Sequence, residues 1–346
     1  MAINLHEKYS KQIAGKFTHE SFVQGHVYTG FEFAGAKTVN LTTPITVDLS
    51  DYNRNASANR FGTPMEMQDS VQALELTQDK SFTLAIDRGN NEDQSGIKQG
   101  ARMLNMQIKE RAVPLMDMWA LSKFDKTAGT RVAIANTPTK STIVEHIFAG
   151  AAALDNALVP TDGRVCYITS SMYNLLRLSP EFVGVDRLGN EALAKGVVGY
   201  AADMLMVKVP DSYMDAYFIC THKNAVIAPI KIKTARILNE APGIDGVLLE
   251  GRYYFDAYTI GAKAGGVYAA IKSGDAIALP VVTKANSQCT VTAATGITFY
   301  YTTDGSDPRY NKAAKVYTAA VTLGSGEVFK CAGQNAAGAW SPVETK

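Results

Sequence analysis

The sequence predicts an α+β fold built from several packed units, with a small all-β unit at the C-terminal end. Three observations carry this expectation. Two early segments alternate apolar and polar residues with period two. A long segment after them repeats apolar residues every three or four positions. Further short strands and helices then follow without a regular βαβ repeat. At 346 residues the chain exceeds one ordinary core, and 46% hydrophobic against 19% charged residues suits burial rather than disorder.

The first alternating segment covers 38–49. Val39, Leu41, Ile45, Val47 and Leu49 fall on one face, with Thr38, Asn40, Thr42, Thr46 and Asp48 on the other, as in a half-buried strand. Pro44 has no N–H for a ladder, which predicts an edge strand or a bulge. After the Asn-rich stretch DYNRNASANRFG, Leu74, Leu76, Phe82, Leu84 and Ile86 face one way, and Thr83, Ala85 and Asp87 the other. Together the segments predict a long antiparallel hairpin with arms of roughly 35–50 Å, farther than one small core supports. A lone two-stranded hairpin is marginal in water. Its apolar face therefore needs a cover, either the rest of the chain or a second copy.

The turn-rich RGNNEDQSG precedes a long amphipathic helix with Ile97, Ala101, Leu104, Ile108, Ala112, Leu115 and Trp119 on one stripe. Pro114 predicts a kink or break near 110–113. Asp87, Arg88, Glu92 and Asp93 cluster before this helix, where they either cap it or meet charges on a neighbour. A second helix is expected over 142–158, opened by the capping box Thr142-x-x-Glu145, burying Ile143, Ile147, Ala151, Leu154 and Leu158, and closed by Pro160. A strand over 165–168 leads into a helix capped by Ser170 or Ser171. Further strands are expected at 205–209, 216–220, 225–227, 247–254 and 267–271. After Leu279-Pro280 the composition shifts to short Thr-, Val- and Tyr-rich strands, with turns at Asp304-Gly305, Asp307-Pro308 and Gly324-Ser325-Gly326.

Chemistry is sparse. Lys+Arg (34) nearly cancels Asp+Glu (33), so no global positive excess serves a nucleic-acid reader. The first 30 residues hold no apolar signal core, and no run of about 18 apolar residues occurs, so synthesis in the cytosol and no membrane span are expected. Cys166, Cys220, Cys289 and Cys331 stand singly, as packed reduced thiols do. The five histidines lack zinc spacing, and Cys220-x-His222 reads as a buried thiol beside a strand-end imidazole. The glycines of 261–266 lie between two strands and match no phosphate or dinucleotide loop. No catalytic, metal or cofactor residues are assigned, and the chain reads as structural rather than enzymatic.

The order of features carries a resemblance. GKFTHESFVQGHVYTGFEF leads to KTVNLTTPITVDLSDYNR, then ALELTQDKSFTLAIDRGNNED, then QSGIKQGARMLNMQIKERAVPLMDMWALSKF. Over roughly residues 1–275 this resembles the major capsid protein of tailed bacteriophages, with the Hong Kong 97-type fold. The resemblance implies an N-terminal arm (1–27), an extended loop (28–91), a peripheral domain with the spine helix (92–159 and 239–279) and an axial domain (160–238). The tail, containing ITFYYTTDGSDPR, resembles the immunoglobulin-like domain at the C-terminus of chitobiase-type enzymes and makes 280–346 a separate unit. No Lys, Asn and acid set matches the isopeptide cross-link of some family members.

On this resemblance the loop lies over an adjacent subunit. The expected inter-subunit residues on the strand are Val39, Leu41, Ile45 and Val47. Those at the tip are Asp51, Tyr52, Arg54, Arg60 and Phe61, and those at the helix junction are Asp87, Arg88 and Glu92. The implied function is a coat subunit forming hexamers and pentamers of an icosahedral head around double-stranded DNA, which it touches weakly and non-specifically. Separate scaffolding and portal proteins are the implied partners, and the virion is the implied location. The C-terminal unit is expected to project outward and be dispensable for the shell, with Tyr300, Tyr301, Tyr310 and Trp340 either forming its core or touching surface glycans. A tail or baseplate protein and a carbohydrate-binding protein are the alternatives.

Overall fold

The computed structural model describes residues 18–346 except 32, 34–36, 47–48, 50, 56, 62–66, 68, 94–97, 180–196, 240 and 325, with the backbone alone at 197–200. A short 3-10 turn at Gln24–His26 precedes β1 (Thr38–Pro44), β2 (Asp69–Glu75) and β3 (Gln78–Asp87). Helices α1 (Arg88–Asp93), α2 (Gly100–Gln107) and α3 (Val113–Lys126) come next, the last two joined by a π turn over Ile108–Ala112. After them are β4 (Thr130–Ile134), α4 (Ile143–Asn156), β5 (Arg164–Thr169), α5 (Ser170–Arg177), β6 (Val197–Ala201), β7 (Met204–Val209), β8 (Phe218–His222) and β9 (Val226–Ile227). The body closes with β10 (Ile230–Leu238), β11 (Gly246–Phe255), β12 (Tyr258–Thr259) and β13 (Val267–Lys272).

A mixed sheet in the order β4-β13-β8-β5-β7-β6 forms the centre. Period-two alternation divides its side chains between two cores. Val165, Tyr167, Val267, Ala269 and Ile271 pack with Leu121 and Phe124 of α3 and with Phe22 and Val23. Cys166, Ile168, Phe218, Cys220, Tyr268 and Ala270 pack with Ile143, Ile147 and Leu154 of α4 and Met172 and Leu176 of α5. Both faces are covered, which is why β5 is buried throughout.

A second sheet, β10-β11-β3, supports the helices. Phe82, Ile86, Val247 and Leu249 meet Met103, Leu104 and Ile108, and Tyr253 and Phe255 meet Met116. The single long hairpin expected from the sequence does not form. β1 pairs with β2 from Thr38↔Glu75 to Pro44↔Asp69, whereas β3 turns away and pairs with β11. Phe82 and Ile86 find their cover under the helix, so the second alternating segment splits at Leu76-Thr77. The seven-residue arms of the hairpin span roughly 23 Å.

Other local expectations are revised. The helix does not break at Pro114. Val113 N–H donates to Ile108 C=O five residues back, and this π turn absorbs the donor that proline lacks. The extra residue rotates the next helical turns, so Met116 and Ala120 are buried while Leu115, expected inward, is exposed. RGNNED is helical rather than a turn, and Ile97 lies outside the described residues. Leu158 sits past the end of α4 with φ 54° and faces solvent. Thr142 makes no capping bond to α4, its hydroxyl accepting instead from Thr139 N–H at 3.0 Å. Neither Ser170 nor Ser171 caps α5; Asp211 accepts from Ser171 N–H at 2.9 Å.

The C-terminal stretch is all-β. It contains β14 (Val282–Ala285), β15 (Gln288–Val291), β16 (Ile297–Thr302), β17 (Lys315–Val316), β18 (Val321–Thr322), β19 (Lys330–Asn335) and β20 (Glu344–Thr345). Two sheets, β14-β15-β18 and β17-β16-β19-β20, enclose Val282, Cys289, Val291, Phe299, Phe329 and Cys331. Gly305 takes φ 75° at the expected Asp304-Gly305 turn.

Candidate interaction surface

The hairpin has a clothed base and a bare tip. At the base, Leu74 and Leu76 are buried with Phe33, Ile227 and Ile260, and Val39 and Leu41 lie half-buried beside them. Gln72 locks this packing by donating to Thr259 C=O and accepting from Gly261 N–H, both at 2.8 Å. Where β2 passes into β3, buried Asp256 accepts from Thr77 N–H (2.9 Å), Thr77 Oγ1 (2.7 Å) and Trp119 Nε1 (2.7 Å). One carboxylate thus joins hairpin, α3 and the end of β11.

At the tip, Asp51, Tyr52, Arg54, Arg60 and Phe61 are all exposed, and Ile45 is half-buried just beyond β1. Val47 lies outside the described residues. Phe61 is 87% exposed and Met67 69%, and Leu49 is fully so. The tip keeps a local shape: Asn53 N–H donates to Arg60 C=O at 3.0 Å, and the Tyr52 and Phe61 rings meet edge to face at 4.9 Å. Leu49, Phe61 and Met67 thus place exposed apolar surface at the tip.

Asp87, Arg88 and Glu92 are exposed at the far end of β3, in a group separate from the tip. Asp87 caps α1 by accepting from Asn90 N–H at 2.9 Å, and Arg88 lies 3.5 Å from Asp245 on the surface, a spacing worth little in water. His222 is occupied: Nδ1 accepts from Asn224 N–H, so Nε2–H donates to Asp162 C=O at 2.8 Å. Of the four aromatics considered for glycan contact, Tyr310 and Trp340 are each 9% exposed and Tyr300 and Tyr301 half-buried. Tyr310 Oη donates to Thr127 C=O of the body at 2.7 Å, and the Trp340 ring meets Tyr300 edge to face at 5.3 Å.

Sequence reasoning did not single out Gln72, Asp256 or Asp117. An acid inside the apolar run YYFDAYTI was the available signal for Asp256. Asp117 holds the N-terminal segment to α3, accepting from Ser21 Oγ at 2.6 Å and Phe22 N–H at 2.9 Å. Burial outweighs these hydrogen bonds and pushes its carboxyl up to about 6.

The architecture matches solved structures over most of its length. A structure from Mycobacterium phage Che8 superimposes with a TM-score of 0.62 at 17% identity, covering 78% of this chain and 98% of that one. The capsid structure of cyanophage P-SCSP1u gives 0.60 at 13% identity over 77% and 92%. The mature capsid of bacteriophage PhiM1 gives 0.58 at 12% over 79% and 92%. The fold is that of phage capsid structures. Residues 289–346 match the family described as Fn3 associated, in keeping with the all-β end. No curated protein matches the chain in sequence. Among the described residues, no helix is long and apolar enough to cross a membrane.

Proposed function

We propose that this chain is the major capsid subunit of a tailed bacteriophage and performs no reaction. The observation that carries the proposal is the capsid fold over more than three quarters of the chain, including the likeness to a mature capsid. The hairpin supports it, because a base secured by its own chain and an apolar tip left bare suit a loop that lies over a second copy. Copies arranged as hexamers and pentamers bury many moderate contacts that become strong together. A net charge of +1 keeps self-repulsion small during close packing and leaves only weak, non-specific contact with packaged double-stranded DNA. Scaffolding and portal proteins complete the proposed set of partners, and the virion is the proposed location.

Electron microscopy of the purified chain, expressed with and without a co-encoded scaffold, tests this. Closed shells of uniform diameter are expected. Tubes or rings would point instead to a tail or baseplate protein, and monomers that bind a glycan column to a carbohydrate-binding protein.

A further inference from the structure

We infer that the C-terminal β unit is an internal splint that fits a surface of its own chain, holding the hairpin base against the end of the spine helix. A seam of directional contacts carries the inference. α3 stops at Lys126, and the carbonyls beyond its last turn need donors. The C-terminal unit supplies them: Trp340 N–H reaches Lys126 C=O at 3.2 Å, Tyr310 Oη donates to Thr127 C=O at 2.7 Å, and Arg309 Nη1 donates to Gly129 C=O at 2.9 Å. A guanidinium at this place also complements the negative helix end. Asp307 grips it from behind, with Nη2···Oδ2 at 2.7 Å and Nε···Oδ1 at 3.0 Å. On the flank, Arg131 is paired with buried Asp125 at 3.2 Å and donates to Trp340 C=O at 3.4 Å.

The same seam reaches the hairpin. Lys312 N–H donates to Val71 C=O of β2 at 2.8 Å. Gly261 is the shared node: its N–H is held by Gln72 of β2, and a Cβ added to it would stand 2.5 Å from Tyr310 Cβ. Helix end, hairpin base and β unit therefore meet around a residue with no side chain. A unit that merely projected on a tether would share no such set of contacts. Bending the hairpin relative to α3 requires the seam to open.

Hydrogen exchange on the full-length chain in dilute solution reads this without any shell forming, so its outcome is separate from that of the proposed function. In the unaltered chain, the Lys312 and Trp340 amides should exchange at least about tenfold more slowly than exposed loop amides. Gly261→Ala wedges the seam from the body, and the double variant Arg309→Ala, Tyr310→Phe weakens it from the β unit. In each, those two amides and the β2 amides of 69–75 should speed up by about tenfold, while the β16–β19 ladder keeps its protection. Fast exchange at Lys312 and Trp340 in the unaltered chain would show a freely tethered unit and overturn the inference. So would release of the seam in both variants with exchange in 69–75 unchanged. If Gly261→Ala also unfolds the β16–β19 ladder, the double variant decides between the same two results.

Discussion

Two buried acids show how single side chains position whole elements. Asp256 accepts from Thr77 and Trp119, so Asp256→Ala leaves an indole N–H and a backbone N–H without their acceptor in a buried site. The expected loss is about 3 kcal/mol, measured by urea unfolding of the isolated subunit. A change below about 0.5 kcal/mol would show that water replaces the carboxylate there. Asp117 acts through pH. Its folded-state value of about 6 lies above the ordinary one near 3.9, so the folded chain holds this proton more tightly than the unfolded chain. The favourable contribution is complete below about pH 4 and is lost as the pH rises through about 6. Relative to Asp117→Asn, the unaltered chain should lose about 2–3 kcal/mol across that window. Parallel pH profiles for the two chains would contradict this.

At the scale of elements, the hairpin separates stability from association. Leu74 and Leu76 are buried by the body, whereas none of the described tip residues belongs to that core. Deleting 53–62 should therefore leave the thermal midpoint of the subunit within about 2 °C while shell yield falls severely, read by calorimetry and by sedimentation. An unfolded subunit would place the tip in its own core. In the spine helix, local pattern and packing divide the work differently. Apolar spacing located the helix and Pro114 marked the irregularity, but whether the chain kinks, breaks or inserts a π turn depends on what packs beneath. The sheet under α2–α3 keeps the helix continuous, and the inserted residue moves burial from Leu115 to Met116.

At the scale of the whole molecule, the C-terminal unit changes the expectation most. From sequence it projects outward and can be removed without loss of the shell; the seam at Gly261 and the α3 end argues for support. Removing 280–346 should leave a folded body, since its two central cores contain no residue from that unit, but lower the thermal midpoint by about 5 °C. An unchanged midpoint would mean that the seam adds nothing to the subunit.

Local pattern located both long helical segments and β5, β7, β8 and β13 of the central sheet but not β4 or β6, and composition with turn signals marked the all-β end. The tip residues Tyr52 and Phe61, which are exposed, were named through the resemblance and not through any local pattern. Which strand pairs with which was decided only in three dimensions. Leu76 and Phe82 share one pattern, yet one faces β9 and β12 and the other a helix, since a local pattern records that a face is buried and not by what. Asp256, Gln72 and Arg309 were hidden for the same reason: their partners are backbone groups and side chains 137, 187 and 180 residues away in the chain.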